Sequence, residues 1–518
     1  MLPIQLSIVM MSANLAPVLL AGKWQPSQET GVFQPDNPVL GSPLPERYPM
    51  SSRAEVLKLL QAGSAAAEAL RVTNGGAIAA FLEAFAGAIE KSADELVELA
   101  HAESGLPKVP RLKDVELPRT TDQLRQAARA AQDGSWRQPV RDEAKKIYAH
   151  YAPLGGPVVV MGPNNFPFAF NSAAGGDFAA AIAAHNPVIA KANTSHPGTT
   201  RRLAELALEC VKASGLHPAT VQLIYRLAPD VGCELVAHPL VGATGFTGSK
   251  SAGLKLKAAA DQAGKPIYLE MSSVNPLVVL EGALQERGGA IADEFFTSCT
   301  MGTGQFCTNP GFVLVPDTAA GHKFVADAQA RFTAATPGVL LGRGGRDGLV
   351  RAVQVLQQHG AKLLCGGQPM PGPSYRFANT LLQVGAAQFL KAPDDLQTEA
   401  FGPVALLVMS RNTAETVAVL KHLEGSLTGT IYSDTTGKDE AEYALIEPPL
   451  RQRVGRLIND RMPTGVAVSP AMNHGGPFPA TGHPGFTAVG LPASIRRFTV
   501  LHCYDNVRPA RLPVGLNC

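Results

Sequence analysis

Between residues 157 and 249 short apolar runs and helix-length segments alternate without interruption. "PVVVM" meets the breaker "GPNNFP", an Ala-rich helix runs on to His185, and "PVIAK" follows. A helix opened by "HPGTT", with Leu203, Leu206, Ala207, Cys210 and Val211 on one face, ends near Gly215. "TVQLIY", the helix "DVGCELVAH" and the run "GATGFTG" complete the series. Short strands joined by helical crossovers imply a parallel sheet with helices on both faces, an α/β fold of the doubly wound nucleotide-binding type.

Residues 51–132 are rich in Ala, Leu and Glu at helical spacing and form a helical layer. "KKIYAHYAPLGG" reads as an extended ribbon suited to subunit contact. A second alternating series starts with "KPIYLEM" and "NPLVVL", passes through a helix over 288–301, and continues with "GFVLV", "HKFVADAQARF" and "VALLVM" as a second α/β unit. The tail from "RFTVLHCYD" is strand-like. The opening "MLPIQLSIVMMSANLAPVLLAGK" has no basic residue before Lys23 and is broken by Gln5, Ser7, Ser12 and Asn14. It falls short of the ~20 apolar residues a membrane helix needs, and is read as an extension before Met11, neither signal peptide nor anchor.

The 518 residues carry a formal net charge of +2, with 17% charged residues, so no polyanion-binding surface is expected and nucleic acid is not a partner. An odd set of cysteines without a C-x-x-C pair points to reduced thiols and a cytoplasmic setting. His185, His196, His217, His238, His474 and His483 lack ligand spacing, so no metal is expected.

"SCTMGTGQFCTNPG" holds two cysteines in unlike surroundings. Gly302 and Gly304 clear space before Cys307, where backbone N–H groups could stabilise a thiolate and a carbonyl could approach. Cys299, among Phe295, Phe296 and Met301, reads as core. Taken alone, a cysteine in a Gly-rich turn is more often structural than catalytic.

"GPNNFP", "KANTSHPGT", "GFTGS", "YLEMSS", "GQFC" and "EAFGPV", in that order, resemble the aldehyde dehydrogenase superfamily over nearly the whole chain. "ESGLPKVPRLKDVELPRTTDQLR" and "HGGPFPATGHPGFTAVG" are similar to the branch holding 2-oxoglutarate semialdehyde (2,5-dioxovalerate) dehydrogenases and a bacterial long-chain fatty aldehyde dehydrogenase. The resemblance implies a dinucleotide-binding domain over 1–136 and 157–270, a catalytic domain over 271–480, and oligomerisation segments at 137–156 and 497–518 building a homodimer or homotetramer. It implies that Cys307 attacks the aldehyde, that Glu270 activates the water cleaving the thioester, and that Asn165 donates to the oxyanion. Ser272 and Ser273 replace the family's usual Gly-Gly.

No G-x-G-x-x-G follows the first strand of the series, and the resemblance instead assigns Gly248 and Ser249 to the pyrophosphate. It gives Glu399 the nicotinamide ribose and Phe401 the ring packed near it. Lys191 stands at the adenosine ribose, and Thr194 occupies the place where many NAD-preferring relatives carry Glu. With Ser195 and Arg226 nearby, a 2′-phosphate is tolerated, so NADP is the expected cofactor, with NAD possible. Arg119 and Gln123 are candidates for a polar or carboxylate tail of the aldehyde, Phe166, Phe168 and Phe306 for apolar walls, and His474 receives no chemical role. The expected reaction is oxidation of a semialdehyde such as 2-oxoglutarate semialdehyde to the acid. A medium- or long-chain aliphatic aldehyde, or a catalytically retired nucleotide-binding protein, are the alternatives.

Overall fold

The computed structural model describes residues 15–513 and 515–516, so the reading of residues 1–10 lies outside the described residues. A seven-stranded sheet runs in the order Ile267–Glu270, Ala243–Thr247, Val158–Met161, Val188–Lys191, Val221–Ile224, Val18–Leu20, Lys23–Gln25. Its first five strands are parallel, with Lys191 level with both Met161 and Ile224, and Thr247 level with Glu270. The carboxyl ends of these strands therefore share one edge, where open α/β sheets bind ligands. Asn165, Lys191, Arg226, Gly248 and Glu270 stand at or just beyond those ends.

Two findings differ from the sequence reading. The Val18–Leu20 and Lys23–Gln25 hairpin adds antiparallel strands to this sheet, turning through Ala21 and Gly22, both at positive φ. "KPIYLEM" belongs to the first sheet, not the second series, because Ile267–Glu270 pairs with Ala243–Thr247.

A second seven-stranded sheet runs Lys362–Cys365, Thr380–Gly385, Val404–Ser410, Phe312–Pro316, Pro276–Val279, Ser426–Tyr432, Val454–Asn459, parallel except at Lys362–Cys365. Successive residues face opposite cores: Val278, Phe312 and Leu314 join one cluster, Leu277, Val279, Val313 and Val315 the other. Both faces are covered, as all-apolar parallel strands require. The helix expected over 288–301 spans Glu281–Thr300 and is broken at Arg287, whose φ is −146°. The Ala-rich helix is shorter than expected, Gly176–Ala183, because residues 164–175 form turns.

A three-stranded sheet pairs Thr499–Asp505 with Ile147–Pro153 and Val140–Asp142. One face leaves Val140 and Leu501 exposed, and Val500 is exposed on the other. No single described helix is long and apolar enough to cross a membrane.

Candidate active site

The helix Glu281–Thr300 buries Phe295 and Cys299 fully, which makes Cys299 a core residue as its sequence suggests. The next turn, Met301–Gly304, carries three consecutive left-handed residues, Gly302, Thr303 and Gly304. A Cβ at Gly304 would lie 2.1 Å from the Gly402 carbonyl oxygen, so glycine is required by both conformation and space. Thr303 holds its unfavourable φ through a hydrogen bond from Oγ1 to the Val339 carbonyl, 3.1 Å. Asn275 then fixes the loop from below: its Nδ2 donates to the carbonyls of Cys307, 2.8 Å, and Asn309, 2.9 Å. The thiol of Cys307 is thus presented by an over-determined turn.

Glu270, at the strand end, is 1% exposed. His474 Nε2 lies 3.1 Å from its Oε1 and 3.6 Å from Cys307 Sγ, while Glu270 Oε2 is buried without a hydrogen-bond partner. Burial pushes the Glu270 carboxyl up, but the imidazole of His474, with Cys307 and Arg497, outweighs it and holds the group below the usual carboxylate range. Burial and the neighbouring Glu270 carboxylate raise the Cys307 thiol well above an ordinary thiol, and Arg119 opposes them. The resting thiol is protonated and adjoins two groups able to take its proton.

No chemical role was expected for His474, and its place beside Glu270 and Cys307 corrects this. After the second sheet the chain returns to the open edge of the first: Met271 N donates to Ala480 O, 2.8 Å, and Gly482 N to Leu269 O, 3.1 Å. His474 is held there by Thr487 Oγ1, which accepts from its backbone N at 2.9 Å, and by Ala488 N, which donates to its carbonyl. Gly475 permits the approach, since a Cβ there would meet the Phe486 carbonyl oxygen at 2.0 Å.

Two cavities flank the thiol. One of about 480 Å³ is lined by Asn165, Thr247, Gly248, Ser249, Glu270, Cys307, Glu399 and Phe401. The other, of about 870 Å³, is lined by Arg111, Arg119, Phe166, Met301, Phe306 and Val468, among others. Consecutive residues face opposite cavities: Asn165 and Phe166 in one loop, Cys307 and Phe306 in the other. Asn165 Nδ2 donates to Gln305 O at 2.9 Å, linking the two loops beside the thiol. Phe166 and Phe306 meet edge to face, 5.3 Å between centroids.

Glu116 and Arg111, which the sequence reading missed, build this wall. Glu116 Oε1 accepts from the backbone N of Phe168, 2.8 Å, and Ala169, 3.0 Å, and its other oxygen pairs with Arg111. Arg111 lies over the Phe166 ring at 4.4 Å and donates to Asn165 O at 3.0 Å. A buried Glu in "LKDVELP" just before a helix was the available signal. Arg119 faces the larger cavity, and its Nε and Nη2 are buried with no partner. Gln123 does not line that cavity: one turn further on, it is 5% exposed and its Nε2 donates to Ala169 O. Phe168 is likewise core rather than wall.

Residues of the smaller cavity fit a nicotinamide dinucleotide. Ser249 caps the helix Lys250–Gln262, accepting from Ala252 N, and the backbone N–H groups of the first turn would suit an anion. Glu399 Oε1 accepts from Ser273 N at 3.2 Å; burial pushes its carboxyl up to about 7, the state of an acid lacking a strong donor. Ribose hydroxyls would supply that donor. Ser273 in turn donates from Oγ to Asn275 Oδ1, 2.8 Å, so the serine that replaces glycine is tied into the nucleophile's support. Lys191 and Arg226 end neighbouring strands outside the cavity lining; burial, then the Arg226 charge, push the Lys191 amine down to about 8. Thr194 and Ser195 sit in the following turn, where Ser195 N donates to Asn193 Oδ1.

The aldehyde dehydrogenase family pattern matches residues 24–447. The alpha-ketoglutaric semialdehyde dehydrogenase 2 of Azospirillum brasilense is 38% identical over 97% of this chain and 97% of its own length. The alpha-ketoglutaric semialdehyde dehydrogenase of Acinetobacter baylyi is 36% identical over 84% of this chain and 83% of its own. Among solved structures, aldehyde dehydrogenase C of Pseudomonas syringae superposes with a TM-score of 0.81 at 19% identity, covering 96% of this chain and 98% of that one. With a cysteine, a carboxylate and an asparagine together on the wall of one cavity and a second cavity next to it, the chain belongs to the aldehyde dehydrogenase family and is an NAD(P)-dependent enzyme.

Proposed function

We propose that the enzyme oxidises 2-oxoglutarate semialdehyde to the dicarboxylate with NADP. The observation that carries the substrate assignment is Arg119, a guanidinium at the wall of the larger cavity with Nε and Nη2 unpartnered. Its neighbour Arg111 is neutralised by Glu116, so of the two arginines beside Phe166 it is Arg119 that is available to a carboxylate tail, with Arg461 also on the cavity wall. The names of the two relatives at 36% and 38% identity support the same substrate. The many apolar residues of that cavity, Phe166, Phe306, Met301 and Val468, favour an aliphatic aldehyde as the second reading.

Cys307 releases its proton through the cavity to solvent as it attacks the aldehyde carbon, and forms a hemithioacetal. Asn165 Nδ2, beside the thiol, donates to the developing oxyanion. A dinucleotide held by Gly248, Ser249 and Glu399 would supply the hydride acceptor. The resulting thioester is cleaved by water, whose proton goes to Glu270; its unpartnered Oε2 is free to accept it. His474, bonded to the other oxygen, orients that carboxylate.

Thr194, which brings no carboxylate to the adenosine ribose, and the Lys191 and Arg226 cations support NADP over NAD. The exposed apolar face of the three-stranded sheet supports assembly into a homodimer or homotetramer through 137–156 and 497–518. The division into a dinucleotide-binding part, 1–136 and 157–270, and a catalytic part, 271–480, and a cytoplasmic location complete the reading. Steady-state assays of 2-oxoglutarate semialdehyde against octanal, each with NADP and NAD, test it: higher kcat/KM for octanal would favour the second reading.

A further inference from the structure

The catalytic triad of side chains has a second chemistry. Cys307 Sγ, His474 Nε2 and a Glu270 carboxylate oxygen all lie within 4.8 Å of one another. Thiolate, imidazole and carboxylate are the donors that Zn²⁺ selects, and three protein ligands with one open position is its usual arrangement in reactive sites.

The spacing suits the ion. With Zn–S about 2.3 Å and Zn–N or Zn–O about 2.0–2.2 Å, tetrahedral angles put sulfur about 3.5 Å from nitrogen and nitrogen about 3.3 Å from oxygen. The structure has 3.6 Å between Sγ and Nε2, and 3.1 Å between Nε2 and Oε1. Both separations made by Nε2 are thus close to those of a tetrahedral site, and the third, between sulfur and carboxylate, is within 4.8 Å.

A second observation points to a ligand. Glu270 Oε2 is a buried carboxylate oxygen without a partner, an arrangement that costs free energy unless something electropositive completes it. Water does so during turnover, and a cation can do so at rest. Glu270 and Cys307 both line the cavity of about 480 Å³, which gives an entry path. The histidine ligand is 167 residues from the cysteine and 204 from the glutamate, so no sequence spacing signals the set. This revises the expectation that no metal binds.

We propose that Glu270, Cys307 and His474 form a three-ligand Zn²⁺ site whose occupancy reversibly inactivates the enzyme and shields its thiol. Binding exchanges the thiol proton for the metal: Cys–SH and Zn²⁺ give Cys–S–Zn and H⁺, with no change of oxidation state. The bound sulfur cannot attack an aldehyde, nor an alkylating agent or oxidant.

The test uses the full-length reduced enzyme and needs no substrate, so it stands or falls apart from the semialdehyde and NADP assignments. Chelator-treated protein is titrated with ZnCl₂, bound zinc is measured after dialysis, and iodoacetamide labelling of Cys307 is followed by peptide mass. Parallel samples take CoCl₂, whose thiolate charge-transfer absorption reports a bound sulfur. Wild type should bind zinc with loss of Cys307 labelling, restored by EDTA. His474→Ala should bind at least about 100-fold more weakly, since a lost ligand costs no less than a lost outer partner. Cys503→Ser, at an exposed thiol remote from the site, should behave as wild type. Equal zinc affinity in wild type and His474→Ala, unimpeded labelling of Cys307 at saturating zinc, or loss of binding in Cys503→Ser would each overturn the proposal.

Discussion

His474 Nε2 and Glu270 Oε1 are 3.1 Å apart, two buried groups 204 residues distant in sequence, on opposite sides of the edge where the chain returns to the first sheet. Removing the imidazole frees the carboxylate to rotate and takes away the contact that helps hold its carboxyl below the usual range. His474→Gln is expected to lower kcat by about tenfold or more while KM for the aldehyde changes little. A pre-steady-state burst of reduced cofactor should appear or grow, because deacylation is slowed more than hydride transfer. A merely structural His474 would instead lower Tm and leave the burst unchanged.

In the proposed reading Arg119 sets the tail preference. Its charge-assisted bond to a carboxylate is worth about 1.5–3 kcal/mol, so Arg119→Met should raise KM for 2-oxoglutarate semialdehyde by about tenfold to 100-fold. The KM for butanal should move far less. Gln123→Ala should not discriminate between the two aldehydes, because its amide is bonded to Ala169 O.

For the cofactor, Thr194→Glu places a carboxylate where the proposed NADP reading puts the 2′-phosphate. Measured kcat/KM for NADP should fall by about tenfold or more and that for NAD should hold or rise. Arg226→Ala should weaken NADP and spare NAD. An unchanged ratio in both variants would move the 2′-phosphate away from this strand end.

A pH dependence of stability follows from Glu103, 2% exposed at the start of the helix Pro197–Ala213, where it accepts from Gly198 N, Thr199 N and Thr199 Oγ1. Burial pushes its carboxyl from 4.5 up to about 7 despite those donors. The folded protein then holds a proton that the unfolded chain has lost between these values. Stability contributed by the neutral acid is complete below pH 4.5 and is lost as pH rises through 7. Relative to Glu103→Gln, wild type should lose up to roughly 3 kcal/mol between pH 5 and pH 8. Denaturant unfolding of both proteins at the two pH values measures the difference.

Much of this could be read from the chain because the strand ends of a doubly wound sheet are short apolar runs followed at once by the functional residue. Asn165, Lys191, Gly248 and Glu270 all follow that rule. Cys307 was legible through Gly302 and Gly304, whose left-handed conformations the turn demands. What escaped depends on long-range return of the chain. His474 lies in a Gly/Pro segment without periodicity, and only pairing of residues 480–482 with the Glu270 strand brings it to the site. Glu116 looked like one charge among many, since its carboxylate is defined by backbone N–H groups 52 and 53 residues away. Gln123 shares a helix and a face with Arg119, and the rise of one turn between them carries it past the cavity into the core.

The central claim is that one sulfur carries the acyl group and one carboxylate releases it. Glu270→Gln keeps the shape of the site and removes the base, so a single turnover with NADP and aldehyde should stall at the thioester. Mass analysis of the quenched peptide spanning "GTGQFCTNPG" should show the acyl group on Cys307, with a burst of NADPH equal to the active sites. An unmodified Cys307 alongside full steady-state acid production, or an acyl group on Cys299, would contradict the account.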